Sequence, residues 1–161
     1  MEKLYYTCSF IGDEKFNATL GYKLGLYKWM SDFLTKNHIR EFLFTESTIG
    51  DFEDFLLGVV GAYKEKYLDI RCILLKEFCM RMMLKDMQTR WIYDYSKLFE
   101  YDKYKEDLAE SRTTVKIQHS DICVFYINKE SAFINKMLTL AKMLNKKIVI
   151  ISKKEIKEVT Q

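Results

Sequence analysis

The chain has no proline and only six glycines among its 161 residues. Because proline-rich linkers, repeats and low-complexity tracts are all missing, nothing divides the sequence, and one domain over residues 1–161 is predicted. No apolar run approaches the roughly 20 residues that a membrane-spanning helix needs. The first residues also lack the basic and apolar regions of a secretion signal. We therefore expect a cytoplasmic domain that does not enter a membrane.

Familiar catalytic and metal-binding motifs are missing too. No P-loop, GxGxxG or GxSxG pattern occurs, so Walker-type phosphoryl transfer and acyl transfer at a nucleophile elbow have no support. Neither histidine has a cysteine or histidine partner at metal-ligand spacing, and no metal is predicted. None of the four cysteines, Cys8, Cys72, Cys79 and Cys123, has CxxC spacing. Three of the four sit in apolar runs, which are typical of reduced, buried thiols.

A strong charge imbalance is also absent. Lysine and arginine number 26 against 23 aspartates and glutamates, which gives a net charge of +3 and no strong signal for nucleic-acid binding. Hydrophobic residues make up 48% of the chain and charged residues 30%. This balance is typical of a globular domain rather than of a disordered chain.

What the sequence does contain is a regular alternation of apolar runs and helical patterns. Five runs read as strands: 4–10, 41–45, 70–75, 121–127 and 148–151. Continuous apolar strands joined by helices are typical of a parallel sheet that is buried on both faces. The sequence therefore predicts an α/β fold, a three-layer Rossmann-like open parallel sheet of about five strands with helices on both faces.

The sequence indicates the helices less clearly than the strands. The first helix is predicted from five apolar residues that recur at helical spacing: Leu20, Leu24, Tyr27, Met30 and Leu34. The segment around 76–112 fits no single pattern, because its methionines favour a helix whereas Trp91–Tyr95 favours an extended piece. A short surface helix is predicted from 101 to about 112, and the segment is treated as an insertion.

In an open parallel sheet, ligands bind beyond the carboxyl ends of the strands, where the strand order reverses. The loop after the first strand offers Ser9 as a hydroxyl donor and Gly12 for close backbone approach, although an ordinary turn explains the same residues. The loop after the fourth strand offers Asn128 and Ser131, where helix amides could receive an anion. Helix capping alone also explains Ser131.

The loop after the second strand is rich in acids. It runs from Thr45, a candidate ligand contact, to Gly50, and four acids lie within it or in the helical turn that follows: Glu46, Asp51, Glu53 and Asp54. Acidic side chains here repel phosphate and suit ribose hydroxyls or a hydrated cation. Acids in a first helical turn also simply complement the helix dipole. Glu53 is the preferred functional acid and the candidate catalytic residue.

Three stretches, Cys8–Gly12, Gly50–Glu53 and Ser120–Tyr126, together resemble the SLOG superfamily. Its Rossmann-like members include the DNA-processing protein A, the lonely-guy phosphoribohydrolases and small bacterial proteins that bind nucleotide-derived ligands. The resemblance covers roughly residues 1–75 and 118–152. It implies ligand contacts at six positions: Ser9, Gly12, Gly50, Glu53, Asn128 and Ser131. The Pro-Gly-Gly loop and catalytic glutamate of the phosphoribohydrolases have no counterpart in residues 128–132.

Three functions stay open at this point. The first is binding or sensing of a nucleotide or nucleotide-derived ligand, with signalling through a partner or a homodimer. The second is hydrolysis of a nucleotide N-glycosidic bond, phosphoribohydrolase-like or TIR-like, with Glu53 or Glu130 stabilising the developing positive charge. The third is a protein-interaction module with a vestigial pocket and a partner surface at 78–95.

Overall fold

The computed structural model describes residues 4–12, 16–45, 51–77, 95–99, 108–152 and 156–159. Its strands are β1 (Tyr6–Gly12), β2 (Ile39–Thr45), β3 (Arg71–Glu77), β4 (Tyr95–Phe99), β5 (Ile122–Tyr126), β6 (Lys147–Ile151) and β7 (Ile156–Val159). Its helices are α1 (Leu20–Asn37), α2 (Asp51–Lys66), α3 (Leu108–His119) and α4 (Ala132–Met143).

The seven strands form one sheet in the order β4-β3-β2-β1-β5-β6-β7. All neighbouring pairs are parallel except β6 and β7, which are antiparallel. The predicted α/β fold with a mainly parallel, Rossmann-like sheet is confirmed. The predicted number of about five strands is too low, because the two edge strands were not recognised.

Helices cover both faces of the sheet. On one face, Met30 of α1 and Leu56 of α2 share a hydrophobic cluster with Phe10 of β1. On the other face, Ile117 of α3 and Met137 of α4 share a second cluster that includes the next residue of β1, Ile11. Successive β1 side chains thus point to opposite layers, as expected for a strand buried on both sides.

Only part of the apolar set that predicts α1 lies on its buried face. Leu26, Met30, Phe33 and Leu34 are buried, whereas Leu20 is 74% exposed and Leu24 is 53% exposed. The helix carries two apolar stripes, and the stripe through Leu26 and Phe33 is the one that packs on the sheet. The helix that the spacing predicts is present, but three of the five residues, Leu20, Leu24 and Tyr27, lie off its buried face.

Helix α3 also differs from its prediction. A helix ending near residue 112 was expected, but α3 continues to His119. Its second half is buried against the sheet through Val115, Lys116 and Ile117. This half has only two apolar residues, Val115 and Ile117, with Lys116 between them, so its apolar signal in the sequence is weak.

The three described cysteines, Cys8, Cys72 and Cys123, are buried within the strands of the sheet, as their apolar surroundings in the sequence predict. Burial raises the pKa of the Cys8 thiol well above its usual value and that of Cys123 to about 12. Both groups are therefore protonated at pH 8, where an exposed thiol is partly ionised.

We expect iodoacetamide at pH 8 to leave Cys8, Cys72 and Cys123 unmodified in the native protein and to alkylate them in urea, as read by peptide mass mapping. Alkylation at native-state rates comparable with those in urea would contradict this burial.

Candidate ligand site at the carboxyl edge of the sheet

Strand β1 lies at the position where the strand order reverses. From β1 the chain proceeds through α1 to β2 on one side, and β5 lies on the other side, followed by β6. Such a reversal opens a cleft at the carboxyl ends of the strands, which is the usual ligand position of open α/β sheets. The loops that follow β1, β2 and β5 begin at this edge.

The ends of β1 and β2 are not paired with each other. Their ladder runs from Tyr6↔Ile39 to Ser9↔Leu43. Beyond it, β1 stays paired with β5 as far as Gly12↔Tyr126, and β2 stays paired with β3 as far as Thr45↔Leu75. Residues 10–12 of β1 and 44–45 of β2 therefore border a gap in the sheet. The gap lies on the β2 side of β1, one strand away from the β1–β5 switch point, and we keep the name crevice for this gap alone.

A buried ion pair fills the base of the crevice. The Lys116 ammonium lies 3.0 Å from the Glu53 carboxylate, and each side chain is only 1% exposed. Lys116 Nζ also donates to the carbonyl of Phe10 at 2.7 Å, and the amide of Thr45 donates to Glu53 Oε1 at 3.4 Å. Because Glu53 comes from α2 and Lys116 from α3, the pair connects the two helical layers through the sheet.

Two of the predicted site residues, Thr45 and Glu53, are thus brought together, but inside the protein. A carboxylate held by an ammonium and a backbone amide is not presented to a ligand in this arrangement. Ser9 is also interior, three residues before the end of β1, where its hydroxyl contacts the hydroxyl of Ser120 and lies 3.5 Å from the carbonyl of Lys116. Gly50 lies outside the described residues.

Gly12 serves close packing. A Cβ atom at this position would lie 2.7 Å from Cβ of Phe52, which is closer than real Cβ contacts. Phe52 in turn stacks on Tyr126 with ring centroids 5.1 Å apart, and Phe16 packs edge-on against Tyr126 at 4.9 Å. Phe16, Phe52 and Tyr126 form an aromatic cluster that covers the ends of β1 and β5.

The residues after β5 lie at the surface of the same edge. Asn128 is exposed. Ser131 is the N-cap of α4, and its hydroxyl accepts a hydrogen bond from the amide of Ile134 at 3.4 Å. Ser131 therefore has the capping role that the sequence predicts as one alternative. The N-terminus of α4, whose helix dipole attracts anions, lies next to the switch point.

The hydroxyl of Tyr126 stands out among the polar atoms of this edge. Tyr126 is fully buried at the last residue of β5, and its hydroxyl has no hydrogen-bond partner among the residues that the structure describes. Nearby, the hydroxyl of Tyr22 in the first turn of α1 donates to the carbonyl of Ser152 at 2.5 Å. Burial raises the pKa of Tyr126, and burial together with the Tyr126 phenol raises that of Tyr22 to about 12, so both phenols are neutral.

Lys116 and Tyr126 were not among the predicted site residues. The sequence places Tyr126 near the end of an apolar strand, which predicts a buried tyrosine. A buried tyrosine hydroxyl normally needs a partner, so this position could have been recognised as a candidate site residue. Lys116 would have stood out had the second half of α3 been recognised, because lysine is almost never fully buried without a partner.

A second cleft of about 410 Å³ lies at the opposite, amino end of the sheet, lined in part by Tyr6, His38 and Lys147. Lys147 is already engaged there by the side chains of Asn37 and Glu158. His38 has a positive φ because it caps α1, so its backbone conformation needs no ligand to explain it. We therefore place the candidate site at the carboxyl edge.

Within the described ranges, no three histidine, cysteine, aspartate or glutamate side chains are grouped so as to hold a metal ion. None of the described helices is both long and apolar enough to cross a bilayer. No protein-family model, no curated protein and no solved structure matches this chain. Its function must therefore be argued from the geometry of the carboxyl edge.

Proposed function

We propose that this protein binds a nucleotide or nucleotide-derived ligand at the carboxyl ends of β1 and β5, beside Tyr126. The observation that carries the proposal is the buried Tyr126 hydroxyl, which has no partner in the described part of the chain. A buried polar group left unsatisfied costs about 1–3 kcal/mol, and folded proteins rarely retain one without a reason. A ligand oxygen or nitrogen at the switch point would supply the missing hydrogen bond.

The surroundings of Tyr126 suit the parts of a nucleotide. The amide of Asn128 can donate and accept hydrogen bonds, as recognition of a base or ribose requires. The first turn of α4, beginning after Ser131, attracts an anionic group such as a phosphate. The ring of Phe16, edge-on to Tyr126, must move aside for a ligand to reach the hydroxyl. The choice of a nucleotide, rather than another anion, rests on the Rossmann-like topology and the SLOG resemblance.

Binding is favoured over N-glycosidic hydrolysis by the state of Glu53. Its two carboxylate oxygens are engaged by Lys116 and by the amide of Thr45, away from solvent. A carboxylate that stabilises a developing oxocarbenium charge must instead contact the substrate. Glu130, the other acid considered, is exposed in the loop before α4.

The proposal has three further parts that rest on the sequence: SLOG membership, a bacterial cytoplasmic setting and assembly as a homodimer. The exposed Leu20 and Leu24 on α1 support the last of these, because such side chains are suited to an interface. The interaction surface considered at 78–95 lies outside the described residues, except for Tyr95 at the start of β4.

Replacing Tyr126 with phenylalanine separates a ligand contact from a structural one. We expect Tyr126→Phe to leave the free energy of unfolding unchanged or to raise it by up to about 1 kcal/mol, because it removes an unsatisfied hydroxyl. Its affinity for whichever nucleotide binds the wild type, in a calorimetric panel of NAD and nucleoside monophosphates, should fall about tenfold, the equivalent of about 1.4 kcal/mol.

Tyr63→Phe is the matched control, since the Tyr63 hydroxyl donates to the carbonyl of Tyr27 at 2.6 Å. It should lose about 1 kcal/mol of stability and keep its nucleotide affinity. The proposal fails if Tyr126→Phe loses stability as Tyr63→Phe does and binds nucleotide as the wild type does.

A further inference from the structure

We propose that Glu53 and Lys116 are a positioning pair that holds the ends of β1 and β2 apart and thereby keeps the crevice open. The pair fixes where the two strands diverge, and so where the loops after Gly12 and Thr45 begin. Its effect on a ligand rests on the proposed function, whereas its effect on the sheet does not.

The ion pair stands at the next step of the β1–β2 ladder. Continuing the β1–β2 ladder by one step from Ser9↔Leu43 would place Phe10 opposite Phe44. In a parallel ladder of that register, the amide of Thr45 would donate to the carbonyl of Phe10. Those two groups are contacted by the Glu53 carboxylate and the Lys116 ammonium. The ion pair therefore sits where one backbone rung of the sheet would form.

A buried polar stripe runs along α3 to Ser120, the residue after the helix. Thr113, Lys116 and Ser120 lie at helical spacing and are all buried. The Thr113 hydroxyl has no partner among the described residues, and Ser120 contacts the hydroxyl of Ser9. Covering a sheet requires only apolar side chains, and replacing buried ion pairs with them is often neutral or stabilising. A stripe that remains polar here is better explained by the geometry it imposes on β1.

Apolar side chains in place of the ion pair would allow β1 and β2 to pair further. Methionine at both positions could not satisfy the carbonyl of Phe10 or the amide of Thr45. Since buried backbone groups are almost always paired, the two would satisfy each other by drawing the strands together. The crevice would then close by one rung, and the loops after Gly12 and Thr45 would start closer to each other.

The test is the double variant Glu53→Met/Lys116→Met, examined by NMR. Scalar coupling across a hydrogen bond between the Thr45 amide nitrogen and the Phe10 carbonyl carbon should be absent in the wild type and present in the variant. Nucleotide affinity should fall at least tenfold while cooperative unfolding is retained. Glu110→Met/Lys136→Met removes the ion pair between α3 and α4, at 2.6 Å with Lys136 largely exposed, and should change neither property.

The outcomes separate the two proposals. A double variant that folds, shows no new coupling and keeps its nucleotide affinity would overturn the positioning role. Coupling already present in the wild type would overturn it as well, even if the variant fails to fold. A wild type that binds no nucleotide would remove the proposed function, while the coupling would still report whether the pair holds the strands apart.

Discussion

Lys116→Met is expected to lower the free energy of unfolding by about 3–5 kcal/mol, the usual cost of leaving one member of a buried ion pair without its partner. The Glu53 carboxylate would remain in the protein interior, where only the amide of Thr45 and contacts outside the pair would offset its lost hydration. Urea unfolding followed by circular dichroism at pH 7 measures the change. An isolated domain of this size is only about 5–15 kcal/mol more stable than its unfolded chain, so the loss would be conspicuous.

The same substitution at an exposed lysine provides the control. Lys136 pairs with Glu110 at 2.6 Å, but its side chain is 62% exposed. Surface ion pairs contribute about 0–1 kcal/mol, so Lys136→Met should cost no more than that. Adding Glu53→Met to Lys116→Met should restore most of the lost stability, because the uncompensated charge is removed. Equal costs for Lys116→Met and Lys136→Met would mean that the interior pair does not exist in solution.

Phe52→Ala is expected to lower the free energy of unfolding by about 3–5 kcal/mol, as truncation of a fully buried phenylalanine does. Gly12→Ala should cost about 1–3 kcal/mol by itself, because the new Cβ would meet Phe52 at 2.7 Å. The two effects should not add. Once the Phe52 ring is gone, the Cβ at position 12 has space, so Gly12→Ala should cost little in the Phe52→Ala background.

Gly58→Ala is the matched control for Gly12→Ala. A Cβ at Gly58, inside α2, meets nothing within 4 Å. Alanine is the better helix former, so this change should raise the free energy of unfolding by about 0.5–1 kcal/mol. Full additivity of Gly12→Ala and Phe52→Ala in denaturant unfolding would show that the ring does not lie on Gly12.

The fold was predictable because its signals are local. Strands such as β5 and β6 contain continuous apolar runs, and each is recognisable without knowledge of its neighbours. Edge strand β7 is short and partly exposed, with Ile156 and Lys157 at the surface, so it carries no such run. The apolar spacing of α1 predicted the helix but not its buried face, because the sequence offers two apolar stripes and only packing selects between them.

The site was predictable only in part, because its contacts join distant parts of the chain. Thr45 and Glu53 were recognised as site residues from one loop. Lys116, which pairs with Glu53, comes from a helix on the other face of the sheet. No local pattern of the sequence links Lys116 with Glu53. Gly12 was recognised for its freedom of backbone approach, whereas the structure uses its small size to admit the ring of Phe52.

The most direct measurement of ligand binding is an NMR titration of the ¹⁵N-labelled wild-type protein with NAD and nucleoside monophosphates. We expect one or more of these nucleotides to shift the amide signals of Tyr126, Asn128 and Ser131 together with those of the first turn of α1. No shift with any nucleotide, or shifts confined to the amino-end cleft around His38 and Lys147, would contradict a nucleotide site beside Tyr126.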